Sequence, residues 1–509
     1  MTRLICMALM LLLALPAVAA AESGEDYAVD LSGFKDGVVN ARVSVHDPSI
    51  IEVDGRFYIF GSHMTAALSD NLRGWTNIAN GYRPDNKVWG NLFEEGLHVF
   101  DYAGSRDSLI PTDDGGTHVW APDVIFNPVT GQYMMYYCTS STFNASNLCL
   151  AVSDRIEGPY EWQACLICSG FDRDNLAGSN VLETVDEKTA RRRYLTLAGS
   201  YNYKEWPNAI DPAVFFDADD RLWMVYGSWS GGIFLLELDP ATGLVIHPEA
   251  DEANGVDPYF GRHLMGGNHQ SMEGPYILRD AEAGYYYLFV SYGSLSSHGG
   301  YQIRVFRAES PEGPYTDMNG EKPNEKGGHS LFGLKLSGNY NLPSVRRPYM
   351  ATGHNSALIG SDGKRYLCFH TRYDDGTEAH QPIVKQYALN AEGWPCLLPY
   401  ATRGEEITAA DLSAEALTGR WYVVNQGTDI SDEIARPFIL YLRGDGTVGG
   451  ESVSGSWSVE EDTVYLRLTL DGTEYSGVAC RMQDDGGTPV LVFSAVGNNE
   501  SVWGVKYEE

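Results

Sequence analysis

The hydrophobic pattern of the chain repeats five times between residues 47 and 370. Each copy is a short apolar run, a polar turn rich in Asp, Gly or Asn, and a second run rich in aromatic residues. The copies read DPSIIEVDGRFYIF, APDVIFNPVTGQYMMYY, DPAVFFDADDRLWMVY, EGPYILRDAEAGYYYLFV and HNSALIGSDGKRYLCFH. Runs of this kind predict paired β-strands, and a repeat that cannot bury its own face must stack on its neighbours. Because the copies are unevenly spaced, the pattern favours four-stranded blades over a regular solenoid. It predicts an all-β fold with a five-bladed β-propeller over residues 35–400.

The first residue of each copy, which we call its register residue, is polar in four of the five copies. These positions hold Asp47, Ala121, Asp211, Glu273 and His354. When the copies close into a ring, equivalent positions meet around one axis, so three carboxylates and a histidine should converge. A single Asp-Pro pair is an ordinary turn signal. Three acids at one repeat position are much harder to obtain by chance, and we therefore expect a functional site on the axis.

The hydrophobic pattern of the sequence changes after residue 400. Alternating strands with the turns RGDGT and LDGTE replace the repeat. This pattern predicts a separate, small antiparallel β-barrel or sandwich over residues 401–509. The sequence leaves open whether this domain is structural or faces carbohydrate.

The first residues, MTRLICMALMLLLALPAVAAAES, have the pattern of a secretory signal peptide over residues 1–21. The apolar run is short for a membrane span, which needs about 20 residues. We therefore expect a secreted protein, extracellular or periplasmic, without a membrane anchor. The net charge of −32, from 36 basic and 68 acidic residues, disfavours nucleic acid and anionic lipid as partners. It mildly favours a neutral substrate.

The cysteines point to no metal or redox site. Of the eight cysteines, Cys6 lies in the predicted signal peptide, which leaves seven and therefore at least one unpaired thiol. Cys138 and Cys149 could pair across two strands. Cys165 and Cys168 form an isolated CxxC without a second pair of zinc ligands. A local disulfide or two small buried side chains are simpler interpretations of that motif.

Asp47, Asp211 and Glu273 form the set of groups that inverting glycoside hydrolysis requires. One carboxylate activates water and a carboxylic acid protonates the leaving oxygen, with the two carboxyl groups roughly 6.5–9.5 Å apart. A third carboxylate keeps the acid protonated by like-charge repulsion and orients it.

The motifs VHDPSIIEVDGRFYIFGSHM, HVWAPDVIFNP, NAIDPAVFF, SMEGPYILRD and TGHNSALIGSDGKRYLCFHTRY resemble glycoside hydrolase family 43. The resemblance is greatest to extracellular endo-α-1,5-L-arabinanases that have an additional C-terminal β domain. It implies that Asp47 is the general base, Glu273 the general acid and Asp211 the carboxylate that tunes the acid. It also implies that His354 approaches a hydrated ion, Ca²⁺, on the propeller axis. A Ca²⁺ ion with mostly water ligands leaves no ligand spacing in a sequence, so this expectation depends on the resemblance.

Three further residues are candidates for substrate contact. Trp120 precedes the second register position and could stack on a furanose ring. Asn208 stands just before Asp211, and Ser228 follows the second strand of the third copy. His370 and Arg372, at the end of the second strand of the fifth copy, could either bind or pack.

The resemblance implies a secreted enzyme that cleaves internal α-1,5-L-arabinofuranosidic bonds of arabinan, a pectin side chain, with inversion. We expect a monomer. Two alternatives stay open: an exo-acting arabinanase, arabinofuranosidase or β-xylosidase on the same fold, and a non-catalytic propeller that binds polysaccharide. Long insertions over residues 81–117 and 319–347 leave endo or exo action, and tolerance of branches, undecided.

Overall fold

The computed structural model describes residues 29–81, 86–90, 92, 98–104, 119–141, 144–324, 328–410, 412–450 and 452–508. The predicted signal peptide and a large part of the 81–117 insertion lie outside these ranges. Within them, no helix is both long enough and apolar enough to span a membrane.

Nearly all regular structure in the described residues is β-strand. The two α-helices are short and span Glu187–Tyr194 (α1) and Ala414–Leu417 (α2). Single 3₁₀ turns occupy Ser62–Met64, Leu176–Gly178, Asn180–Glu183, Glu252–Asn254 and His329–Leu331.

The first two blades are four-stranded antiparallel sheets with their strands in chain order. Blade one contains β1 to β4, which span Ser49–Val53, Arg56–Gly61, Thr65–Ser69 and Thr76–Asn80. Blade two contains β5 to β8, which span Val119–Asn127, Gln132–Ser140, Ser146–Ser153 and Glu161–Ser169.

Blade three is larger, with six strands. Strands β9 to β14 span Ala213–Phe216, Leu222–Tyr226, Ile233–Leu238, Val245–Ile246, Val256–Asp257 and Gly261–Met265. The sheet runs in the order β9, β10, β11, β14, β13, and β12 pairs separately with β11.

Blades four and five return to four strands in chain order. Blade four contains β15 to β18, which span Met272–Asp280, Tyr285–Tyr292, Gln302–Ala308 and Leu334–Ser337. Blade five contains β19 to β22, which span Tyr349–Ile359, Arg365–Tyr373, Gln381–Leu389 and Pro395–Leu397. The five-bladed propeller predicted from the repeat is confirmed.

The C-terminal strands close into an eight-stranded antiparallel barrel, so the structure decides between the two predicted forms, barrel and sandwich. Strands β23 to β30 span Gly419–Asn425, Phe438–Leu442, Thr447–Gly450, Ser454–Val459, Tyr465–Leu470, Thr473–Gln483, Pro489–Gly497 and Glu500–Tyr507. Among the residues of this domain that the structure describes, the closed ring leaves no strand edge unpaired.

The propeller and the barrel share one hydrophobic core. One buried cluster contains Tyr340 and Leu397 from the propeller together with Val492 and Trp503 from the barrel. The ammonium group of Lys385, in β21, lies 4.3 Å from the ring centre of Trp503. The barrel is therefore packed against blades four and five by apolar burial, which drives association most strongly.

The strand register keeps the predicted cysteine pair apart. Cys138 lies opposite Leu148, and Cys149 lies opposite Cys165, so Cys138 and Cys149 are not paired. All seven cysteines are free in the structure. The Sγ atoms of Cys165 and Cys168 lie 3.6 Å apart.

Candidate active site

The start of each inner strand bends sharply, and the bend brings the register residues to the axis. The φ angles of Asp47, Ala121, Asp211 and His354 are 52°, 40°, 55° and 47°. At the fourth register position the left-handed residue is Gly274, with a φ of 56°, directly after Glu273. Left-handed backbone is uncommon for residues other than glycine and concentrates at functional sites. The same unusual conformation therefore recurs in all five blades, at the register residue in four of them and one residue after Glu273 in blade four.

A cavity of about 320 Å³ is lined by four of the five register residues: Asp47, Asp211, Glu273 and His354. It contains all seven residues that the sequence singled out for catalysis, substrate or metal: Asp47, Trp120, Asn208, Asp211, Ser228, Glu273 and His354. The other lining residues are His46, Ser140, Ser146, Ile210 and Leu295. Larger cavities of about 680 and 620 Å³ lie on the outer part of blade three and beside blade five, and neither is lined by a register residue. Convergence of the predicted residues, rather than size, identifies the candidate site.

Asp47 is buried and surrounded by donors. Its Oδ1 lies 2.8 Å from Nδ1 of His46 and 3.0 Å from Nδ1 of His354. Its Oδ2 accepts a hydrogen bond of 2.5 Å from the Ser62 hydroxyl. Burial favours the neutral acid, but the charges of the two histidines and their hydrogen bonds outweigh it, and the pKa of Asp47 lies well below its usual value. Asp47 is therefore ionised, as a general base must be.

The pKa values of Asp211 and Glu273 are shifted upwards, in the opposite direction to that of Asp47. Burial, together with the charges of Glu273 and Asp47, raises the pKa of Asp211 to about 7 in spite of His354. Burial, with the Asp47 charge, also raises the pKa of Glu273, although His354, Tyr301 and Trp229 act against it. The backbone N–H of Gly274 donates to Oδ2 of Asp211 at 3.2 Å and ties the two acids together. The pair can hold a proton near neutral pH, next to an ionised Asp47.

Two donors from blade three reach the Glu273 side chain. The Ser228 hydroxyl donates to Oε2 at 3.2 Å and the indole N–H of Trp229 donates to the same oxygen at 2.7 Å. Sequence analysis singled out Ser228 as a substrate contact and missed Trp229. The available signal was the Gly-rich segment GSWSGG directly after β10, which is typical of a backbone that approaches a site closely.

The two other predicted substrate contacts also lie on the cavity wall. The indole N–H of Trp120 donates to the Ser140 hydroxyl at 3.0 Å, and its ring meets His63 edge to face at 4.5 Å. Asn208 is buried, and its Oδ1 lies 3.4 Å from the hydroxyl of Ser169, which donates to it. Trp120 is held in place by these contacts and remains partly exposed.

His370 and Arg372 lie behind Asp47 and do not line the cavity. The ring of His370 stacks on His46 with 3.9 Å between centres, and its Nδ1 lies 3.6 Å from Oδ1 of Asp47. Burial, and then the neighbouring His46, lowers the pKa of His370 far below its usual value. Arg372 pairs with Glu378 at 2.7 Å. Of the two interpretations left open by the sequence, the structure favours packing for both residues.

Some side chains near the axis have atoms that could bind a metal ion. Among the described residues, one group of potential ligand atoms lies within 4.8 Å of one another, and it belongs to His46, Asp47 and His370. Two imidazoles and one carboxylate resemble a transition-metal set, whereas Ca²⁺ prefers oxygen ligands. His354 is outside that group, and its Nδ1 points to Asp47.

Two family models match consecutive parts of the chain. The profile of Glycosyl hydrolases family 43 matches residues 193–395, and that of a C-terminal lipocalin-like domain matches residues 399–504.

Comparison with individual proteins extends the match over nearly the whole chain. An extracellular endo-α-(1→5)-L-arabinanase of Thermotoga petrophila is 37% identical, over 91% of this chain and 94% of its own length. Extracellular endo-α-(1→5)-L-arabinanase 2 of Bacillus subtilis is 36% identical, over 91% and 93% of the two chains. The crystal structure of endo-1,5-α-L-arabinanase from Thermotoga petrophila superposes with a TM-score of 0.79 at 35% identity, and covers 93% of this chain and all of that one. The sequence motifs, the propeller with its barrel, and these alignments together show that the chain belongs to glycosyl hydrolase family 43.

Proposed function

We propose that the chain is a secreted endo-α-1,5-L-arabinanase that hydrolyses internal bonds of arabinan with inversion of configuration. The observation that carries the proposal is one cavity in which an ionised Asp47 faces the Asp211–Glu273 pair, which can hold a proton. The substrate and the extracellular location are inferred from relatives with those names at 36–37% identity over 91% of the chain.

The mechanism follows from the different protonation of the carboxyl groups. Asp47 accepts a proton from water, and the water oxygen attacks the anomeric carbon from the face opposite the leaving group. As the glycosidic C–O bond breaks, Glu273 transfers its proton to the departing oxygen. Asp211 contributes through its charge and through the backbone N–H of Gly274, which keeps the acid in place.

We also propose that a hydrated Ca²⁺ ion binds on the axis near His354. When bound, the ion would offset the negative charge of Asp47 and help to hold the carboxyl side chains on the axis in place. Metal analysis of the purified protein before and after chelator treatment tests this. We expect about one Ca²⁺ per chain, and a lower temperature of unfolding after its removal that added Ca²⁺ restores. A protein that retains no Ca²⁺, and whose unfolding temperature is the same with and without chelator, would contradict the proposal.

A product time course on debranched linear arabinan tests endo action, with xylan as a parallel control. Arabino-oligosaccharides of many lengths should appear early and shorten later. Early release of arabinose or of one short product alone would show exo action instead. Release from xylan but not from arabinan would exclude the proposed substrate.

Proton NMR of the first products tests inversion. Because the substrate linkage is α, an inverting enzyme releases β-anomers first, and the α-anomer appears only by mutarotation. Initial release of the α-anomer would show retention of configuration. A retaining mechanism requires a carboxylate that attacks the anomeric carbon itself, instead of one that activates water.

We propose that the chain acts as a monomer. Light scattering at micromolar concentration would check this, and a dimer mass would contradict it.

A further inference from the structure

We propose that Trp229 positions Glu273 and fixes which oxygen of its carboxyl group carries the catalytic proton, namely Oε1. This inference rests on the proposed function, because it takes Glu273 as the general acid. Trp229 would act through Glu273, without itself exchanging a proton with substrate.

Trp229 is fastened to the beginning of β15 at two points. Its backbone N–H donates to the carbonyl oxygen of Met272 at 2.7 Å, and its indole N–H donates to Oε2 of Glu273 at 2.7 Å. Met272 and Glu273 are consecutive residues. The tryptophan therefore holds both the backbone and the side chain at the place where the acid is presented.

The backbone around Trp229 is strained in a way that keeps the indole in this position. Trp229 and the next residue, Ser230, have φ angles of 48° and 27°. On the facing loop, Asn268 and His269 have φ angles of 51° and 59°. The two loops are joined by the N–H of His269, which donates to the Ser230 carbonyl oxygen at 2.8 Å, and the rings of Trp229 and His269 lie 5.1 Å apart. Non-glycine residues persist in such conformations only where their surroundings enforce them, often at catalytic sites.

The chemistry of the indole decides which oxygen is protonated. An indole N–H can only donate a hydrogen bond. In a neutral carboxyl group the carbonyl oxygen is the good acceptor, and the hydroxyl oxygen is a poor one because its lone pair is delocalised into the carbonyl. Both blade-three donors, Trp229 and the Ser228 hydroxyl, reach Oε2. Oε2 is therefore the carbonyl oxygen of the protonated acid, and the proton is on Oε1.

The same hydrogen bond gains strength during the reaction. When Glu273 gives up its proton it becomes a carboxylate, and hydrogen bonds to ionised acceptors are about twice as strong as neutral ones. An interaction that strengthens towards the transition state raises kcat without tightening substrate binding. Loss of the N–H should thus lower kcat by about 10- to 100-fold, the magnitude typical of a lost hydrogen bond to a charged group.

The test compares Trp229→Phe with Trp223→Phe on two substrates. Trp223 is the matched control because its indole N–H also donates to a buried carboxylate in blade three, Oδ2 of Asp217, at 2.8 Å. One substrate is linear arabinan. The other is the 2,4-dinitrophenyl glycoside of an α-1,5-arabino-oligosaccharide, whose leaving group departs without protonation.

For Trp229→Phe we expect kcat on arabinan to fall by about 10- to 100-fold with KM nearly unchanged, and kcat on the dinitrophenyl glycoside to stay within about threefold of wild type. Trp223→Phe should resemble wild type on both substrates. If the Phe variant folds poorly, replacement of Trp229 by 3-benzothienylalanine should reproduce the same pattern, because that side chain keeps the bicyclic ring and has a sulfur atom in place of the N–H.

Unchanged kcat on arabinan, or an equal loss on both substrates, would overturn the positioning role. In either case an active wild type leaves the proposed function intact. A wild type that cleaves neither substrate would instead refute the proposed function, and the role of Trp229 with it.

Discussion

The protonation state of each carboxyl group in the site is set by the residues around it. Asp47 has Nδ1 of His46 and Nδ1 of His354 within 3.0 Å of its Oδ1, so its negative charge is stabilised. Asp211 and Glu273 are buried beside other carboxyl groups and resist ionisation. One cavity thereby contains carboxyl groups whose pKa values are shifted in opposite directions by their surroundings.

The first prediction concerns the two reacting carboxyl groups. Asp47→Asn and Glu273→Gln should each lower kcat on arabinan by about 10²- to 10⁴-fold, because each removes a proton transfer and leaves the shape of the side chain intact. Rates of oligosaccharide release measure this, with thermal unfolding to verify that each variant is folded. Near-normal turnover in either folded variant would contradict the assignment.

Asp123 shows the same principle at a structural position. This buried carboxyl group accepts hydrogen bonds from the Ser49 hydroxyl of blade one at 2.6 Å and from the Val214 backbone of blade three at 2.7 Å. Burial raises its pKa from 3.8 to about 6 although the hydrogen bonds oppose the shift. Asp123 itself lies in blade two, so it joins three consecutive blades near the axis.

The second prediction is a pH dependence of stability from Asp123. Because its folded pKa is raised, its contribution is fully present below pH 3.8 and is lost as the pH rises through about 6. Two pKa units correspond to about 3 kcal/mol. The free energy of unfolding of wild type, relative to that of Asp123→Asn, should fall by about this amount between pH 4 and pH 7. Denaturant titrations at several pH values measure it, and parallel pH profiles for the two proteins would contradict it.

At the scale of elements, irregular strands turn the register residues towards the axis. The pairing of the inner strand is interrupted between Trp120 and Asp123 in blade two and between Glu273 and Tyr276 in blade four. Blade five has two such shifts, on either side of Gly353. A bulge bends a strand and redirects a side chain, and it is frequent next to active sites. The repeat in sequence thus becomes a repeated bend in structure.

The third prediction tests the tight packing at one of these bends. A Cβ atom on Gly353 would lie 2.2 Å from ring carbons of Tyr301, which is itself buried and stacked on His370. Gly353→Ala should lower the free energy of unfolding by about 1–3 kcal/mol, as overpacking typically does. Gly178→Ala is the matched control, since no atom lies within 4 Å of the added Cβ. Equal stability of the two variants in denaturant titrations would show that the ring moves without penalty.

At the scale of the whole molecule, the barrel is part of the propeller's core. Trp503 is fully buried, and its ring centre lies 5.0 Å from that of Tyr340 in the propeller. Arg304 of blade four is also buried and donates to the carbonyl oxygens of Gly333 and of Thr428, the latter in the loop after β23. A shared core of this kind makes the two domains one cooperative unit.

The fourth prediction is a single unfolding transition for the whole chain in calorimetry. Trp503→Ala should move that transition to lower temperature as one peak, with a loss of about 3–5 kcal/mol in the free energy of unfolding. Tyr441→Ala serves as the control, because Tyr441 lies on the barrel surface with 45% of its area exposed. Two separate peaks in wild type, or a Trp503→Ala variant whose propeller melts as in wild type, would contradict a common core.

The sequence by itself determined the blades and the residues that meet on their axis. Stacking of equivalent units forces equivalent positions together, so the repeat was enough to bring Asp47, Asp211, Glu273 and His354 into one cavity. It also separated the two domains, because a change from repeat to hairpin pattern is local along the chain. The signal peptide and the residue roles that the family resemblance implies remain predictions from the sequence.

Only the tertiary structure decided the closure of the barrel, the protonation of the acids and the contacts of Trp229. Each depends on distances between residues far apart in sequence, such as Trp229 and Glu273, or His354 and Asp47. Burial and neighbouring charges act through space and not along the chain, so a one-dimensional pattern does not contain them. The sequence identified the three acidic residues, and the tertiary structure determines the protonation state of each.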